Sequence, residues 1–217
     1  MLIIDQCHPE LASIPLEKYK YFQAINKLVD ATLVTHERKK KPREKLNQYN
    51  NNFYREESEL TKKYFPLIAR LTLRNGNNWP LATARGYPIY AEFDRKVYQQ
   101  LQEPILRGDY DLVHALTPMI PRYSVKAVNG CRQAPFLLEP VNGGVPFPPG
   151  FQEVVRQELG YLNFLISVGR ASVPNYVETY NKVDKILAGS TYTLNLVKQL
   201  FSFSYQRIEL FEKKGIF

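Results

Sequence analysis

Cysteine is scarce in this 217-residue chain. Its two cysteines, Cys7 and Cys131, are too few and too far apart for a disulfide framework or a zinc site. Each is expected as a reduced, buried thiol, which points to the cytoplasm. Histidine is almost as rare: His8, His36 and His114 stand at no metal-ligand spacing to one another or to the cysteines, so no metal is expected. The glycines form no G-x-G-x-x-G and no Walker loop, and no G-x-S-x-G elbow occurs. Dinucleotide, P-loop and serine-hydrolase chemistries thus lack their fingerprints, and no cofactor is expected. No uninterrupted apolar run approaches the roughly 18–20 residues that span a bilayer. The longest candidate, Leu162 to Val168, is broken by Asn163 and Ser167. Met1-Leu2-Ile3-Ile4-Asp5 lacks the basic start and apolar stretch of a signal peptide.

What is present is an ordinary globular composition with an excess of base. Hydrophobic residues make up 44% and charged residues 23%, which excludes wholesale disorder, and the length suits one domain with a full core. The net charge of +8 admits nucleic acid, anionic lipid or a phosphorylated substrate as partner. Its densest patch is Arg38-Lys39-Lys40-Lys41-Pro42-Arg43-Glu44-Lys45. That patch reads as a solvated loop after a strand, or as a peripheral contact with acidic phospholipid headgroups at the inner membrane face. Each charge near such a surface contributes about 1 kcal/mol. A basic-aromatic signature of the RRM or KH type is missing, and no nucleic-acid partner is expected.

The order of elements suggests an α/β fold. Leu2-Ile3-Ile4 reads as a buried strand, Leu16 to Val29 as a helix with one apolar face, and Ala31 to Thr35 as a β-branched strand. Strand, helix, strand in so short a span is a βαβ unit and predicts a mostly parallel sheet. From about 46 to 106 the pattern becomes helical and aromatic-rich, an expected insertion. Within it Asn47, Asn50, Asn51 and Asn52 form a polar cluster, Glu56 to Leu73 and Pro88 to Leu106 read as helices, and Asn75-Gly76-Asn77-Asn78 is a turn. Strands return at Tyr110–Leu116, Ala134–Leu138, Asp184–Gly189 and Gln206–Phe211, with helices from about Phe151 to Gly169 and from Thr191 to Leu200. The expected architecture is a single Rossmann-like domain over residues 1–217, its sheet flanked by helices.

In such sheets ligands bind beyond the carboxyl ends of the strands, and three segments end strands there with unusual residues. His114 with Ala115-Leu116-Thr117-Pro118 is the first, unless that histidine is purely structural. Asn142-Gly143-Gly144 is the second: paired glycines permit close backbone approach to a phosphate or a sugar hydroxyl, or simply a tight turn. Gly189-Ser190-Thr191 is the third, a helix N-terminus that can hold an anion or be capped by Ser190.

The stretch Asp111-Leu112-Val113-His114-Ala115-Leu116-Thr117-Pro118-Met119-Ile120-Pro121-Arg122-Tyr123 resembles a segment of family-four glycosyltransferases. So do the run from Pro135 to Pro148, similar to their "P-F-x-x-G-P-x-N-G-G-x-P-x-P" pattern, and Ile186-Leu187-Ala188-Gly189-Ser190-Thr191-Tyr192-Thr193. The resemblance covers about residues 105–210, in order. It implies the N-terminal, acceptor-side half of a GT-B fold, in an enzyme that moves a sugar from a nucleotide-sugar donor to an acceptor hydroxyl with retention and without a metal. By position His114 becomes a cleft contact near the transferred sugar, with Asn142, Gly143, Gly144, Thr117, Arg122 and Ser190 as substrate-binding candidates. Acceptor sugar or lipid is the implied partner. Two departures matter: Gln6 to Pro15 holds no glycine, and no glutamate has another eight residues on, where the family's donor site pairs two. The expectation is a chain without the C-terminal donor-binding domain, inactive alone unless a separate donor half is supplied. The alternative is a non-catalytic sugar-, lipid- or protein-binding module derived from such an enzyme.

Overall fold

Among the described residues seven short strands, all parallel, make one sheet in the order β3-β2-β1-β4-β5-β6-β7. The computed structural model describes residues 1–4, 14–36, 52–74, 79–116, 123–141, 150–153, 175–201 and 205–211. The strands are β1 (Leu2–Ile4), β2 (Thr32–His36), β3 (Asn52–Arg55), β4 (Val113–Ala115), β5 (Phe136–Val141), β6 (Lys185–Ala188) and β7 (Ile208–Leu210). Among the described residues five helices accompany them: α1 (Ile14–Ile25), α2 (Glu59–Arg74), α3 (Trp79–Arg107), α4 (Tyr176–Lys182) and α5 (Thr191–Phe201). The expected α/β Rossmann-like domain is therefore the observed one.

Side-chain parity along the strands divides the core. Leu2 and Ile4 point to one face of the sheet, in a cluster with Val113, Ala115, Phe136 and Leu138. Ile3 points to the other, with Leu33, Leu116 and, from α1, Tyr19 and Phe22. The step from β1 to β2 runs across the sheet in the opposite direction to the steps from β4 through to β7. Because parallel crossovers are right-handed, α1 falls on one face and α3, α4 and α5 on the other.

The largest piece of the core is carried by α3. Ile89, Phe93, Val97, Leu101 and Ile105 recur every fourth residue and all are buried, the stripe a helix needs to lie along a sheet. Each contributes about 1.5–3 kcal/mol by leaving water. The helix runs 29 residues, about 43 Å at 1.5 Å per residue, so it extends well past three- to six-residue strands. It continues through Pro88 and starts at Trp79, nine residues before the expected start. Its C-terminus is closed by Gly108, whose φ of 84° lies in the left-handed region, with the Gly108 N–H on the Ile105 carbonyl at 3.1 Å.

Other elements also differ from expectation, among them α1, which stops at Ile25 and not at Val29. β3 arises at Asn52, directly out of the polar asparagine cluster, and pairs with β2 from Leu33↔Asn52 to His36↔Arg55; register against an existing strand overrides the poor intrinsic propensity of asparagine. A 3-10 segment, Lys126–Gly130, and helix α4 were not expected at all. The helix expected from Phe151 to Gly169 lies largely outside the described residues. The span 46–106 supplies β3, α2 and most of α3. In β5 the register slips between Leu138 and Pro140, a bulge that tolerates a residue with no N–H inside a central strand.

Candidate functional site

The strand order reverses between β1 and β4, where neighbours in the sheet lead outward in opposite directions. A crevice at such a switch point is where open parallel sheets hold ligands. His114 sits in β4 beside it, paired in register with Ile3. That pairing fixes its parity: the ring points to the α1 face, edge-on to Tyr21 with centroids 5.5 Å apart. It is fully buried, and among the described residues neither ring nitrogen has a hydrogen-bond partner. Burial, helped by the neighbouring Lys18 charge, pushes its pKa down to about 3. At neutral pH the imidazole is uncharged. Lys18, itself buried, donates from Nζ to the Leu116 carbonyl and so ties α1 to the end of β4.

Ser190 caps α5. Its Oγ accepts the Thr193 N–H at 3.1 Å and lies 2.9 Å from the Thr193 hydroxyl, which satisfies a backbone donor that the helix start leaves free. Thr117, Arg122, Asn142, Gly143 and Gly144 lie outside the described residues, as do Cys7 and the basic stretch Arg38 to Lys45. Cys131 is a free thiol, half-buried, its pKa pushed up to about 12 by burial and by the Asp184 charge, so it stays protonated at neutral pH. At the end of β2, His36 lies 2.9 Å through Nδ1 from Glu57 Oε1, both side chains buried, and stacks on Phe93 at 4.2 Å.

A second site, which the sequence did not single out, opens between α3 and the chain leading into the 3-10 segment. It is a cavity of about 390 Å³ with Tyr87, Tyr90, Asp94 and Arg95 on one wall and Ser124 and Lys126 on the other. Asp94 is buried, and one carboxylate oxygen accepts the Lys126 N–H at 2.8 Å. Burial raises its pKa to about 7, against the lowering effect of that hydrogen bond and the Lys126 charge. Tyr90 is fixed: its hydroxyl donates to the Ser124 carbonyl at 2.9 Å and its ring stacks on Tyr123 at 4.5 Å. Tyr87 tilts against Tyr123 at 5.6 Å and stays half-buried.

Glu92, two residues before Asp94, behaves in the opposite way. Its carboxylate accepts the Ser58 N–H and hydroxyl, both at 2.7 Å, and the Thr61 hydroxyl, and pairs with Lys96 at 2.8 Å. Burial works to raise its pKa, but the donors from Lys96, Thr61 and Ser58 outweigh it and hold the group at about 2. Glu92 thus pins the start of α2, where Ser58 Oγ also takes the Thr61 N–H at 3.2 Å, onto α3.

The signal for Asp94 was present as an acidic residue inside an otherwise apolar helical face next to Phe93 and Val97. What makes it a site is a contact from 32 residues away, which no local pattern encodes. Among the described residues no group of three or more His, Cys, Asp or Glu is arranged to hold a metal ion, and no helix is long and apolar enough to cross a membrane. In comparisons with known proteins, no family model matches this chain and no curated protein matches it, so its own residues carry the functional reading.

Proposed function

We propose that this chain is the acceptor-side half of a retaining glycosyltransferase, holding an acceptor hydroxyl at the carboxyl ends of the strands while a second, donor-binding domain presents the nucleotide sugar. The observation that supports this reading most is the sheet order, with its reversal between β1 and β4. The three stretches that resemble family-four glycosyltransferases begin at β4, β5 and β6, three adjacent strands of that sheet. Holding two substrates in near-attack geometry lowers a barrier by about 7–11 kcal/mol. One domain offers one wall of such a cleft, so the isolated chain binds acceptor and transfers nothing. In the same proposal the basic stretch Arg38 to Lys45 meets anionic headgroups.

The test is to read the coding sequence past the codon for Phe217 and in neighbouring frames for a domain with two glutamates eight positions apart. That domain is then co-expressed with the chain, and sugar transfer from nucleotide sugars is assayed. Transfer by the pair and none by either part is the expected result. If no such domain is encoded, or if the pair transfers nothing to any hydroxyl acceptor, the transferase reading is wrong and a binding module stands in its place. Liposome binding that survives charge reversal at Lys39, Lys40 and Lys41 would remove the membrane contact.

A further inference from the structure

The α3 cavity is on the opposite face of the sheet from the His114 ring, so it is a separate place from the one the transferase reading uses. At about 390 Å³ it falls within the roughly 300–1,000 Å³ of small-molecule sites. Its charged lining side chains are Glu92, Asp94, Arg95 and Lys126, two of each sign. A cationic ligand would meet Arg95 and Lys126, and an anionic one would meet Asp94 with Glu92. A neutral ligand avoids both conflicts.

The polar groups that remain suit hydroxyls. Asp94 accepts as a carboxylate and can also donate when protonated, Arg95 and Lys126 carry only donors, and a hydroxyl can both give and accept. Beside them the half-exposed Tyr87 ring offers an apolar face. The wall is already organised: the Lys126 N–H holds Asp94, and Ser124 and Tyr123 hold Tyr90. Little ordering is left for a ligand to impose. We propose that this cavity binds a neutral pyranose ring, as a free sugar or glycoside, with Asp94 accepting from its hydroxyls and Tyr87 lying against its C–H face. The proposal rests on the lining chemistry and is independent of the transferase reading.

The experiment is saturation-transfer NMR, with titration calorimetry, on the full chain with methyl glucoside, methyl galactoside and methyl mannoside. Choline and inorganic phosphate serve as charged probes. At least one glycoside is expected to bind saturably, with the strongest transfer to its ring C–H protons, and neither charged probe should displace it. Tyr87→Ala and Asp94→Asn should each weaken that binding by about tenfold, the size of one lost ring contact or charged hydrogen bond. Tyr87 is half exposed, so its variant tests the site even if Asp94→Asn fails to fold. No binding by any of the three glycosides, binding indifferent to the substitutions that fold, or displacement by choline or phosphate would overturn the proposal. Glycoside binding without transfer by any assembled pair would count against the transferase reading alone.

Discussion

Replacing Asp94 with asparagine should make this protein more stable at high pH, an unusual outcome for a substitution at a buried hydrogen-bonded group. Unfolded, the carboxyl titrates near 3.8; folded, near 7. Between those values the folded state holds a proton that the unfolded state has released. Stability of the native sequence therefore falls as the pH climbs through that window, and the loss is complete above it. At about 1.4 kcal/mol per pH unit the full penalty is on the order of 4 kcal/mol. Asparagine cannot ionise, yet its amide oxygen can still accept the Lys126 N–H. The two proteins should be equally stable near pH 4, and the variant ahead by a few kcal/mol at pH 8. For a chain of this length each kcal/mol moves the melting temperature by roughly 2–4 °C. Paired urea unfolding at both pH values reads the difference directly, and titrations elsewhere cancel between the two proteins. An asparagine variant less stable than the parent at pH 8, or a difference independent of pH, would refute the reasoning.

Glu92→Gln should show the opposite sign. The native carboxyl titrates near 2 against 4.5 unfolded, so its contribution is present above 4.5 and is lost as the pH falls toward 2. Discounted for solvent screening, a deficit of about 2 kcal/mol at pH 7 that closes on acidification is expected from chemical denaturation. His114→Leu should remove acid sensitivity: the buried ring titrates near 3 rather than 6.5, so the native protein loses stability as the pH drops below 6.5. The variant should match or exceed it at pH 7 and unfold at lower pH, and an unchanged acid midpoint would speak against the placement of that ring. Ser190→Ala should cost about 0.5–2 kcal/mol in thermal unfolding, with Asp at the same position restoring most of it.

Much of the fold was legible because its elements repeat with strong local periods. Leu2-Ile3-Ile4 and the stripe from Ile89 to Ile105 announce a buried strand and its covering helix without any tertiary information. Ser190 as a cap was legible for the same reason, since capping is a local hydrogen bond. β3 was not legible, because Asn52 disfavours a strand and only pairing with Leu33 makes it one. The start of α3 was misjudged at Pro88, a residue that ends many helices but that this helix runs through.

The sequence by itself determined the class of this protein: parallel strands alternating with helices, no metal or dinucleotide fingerprint, and a net charge of +8. Tertiary structure decided what its polar residues became. The register of β4 against β1 turned His114 toward α1 and buried it, with no hydrogen-bond partner among the described residues. The Lys126 segment, docking 32 residues from Asp94, enclosed one carboxylate and raised its pKa, while Ser58, Thr61 and Lys96 gathered around Glu92 and lowered another. Periodicity is a property of neighbours along the chain. Desolvation and charge pairing depend on neighbours in space, and only packing assigns those.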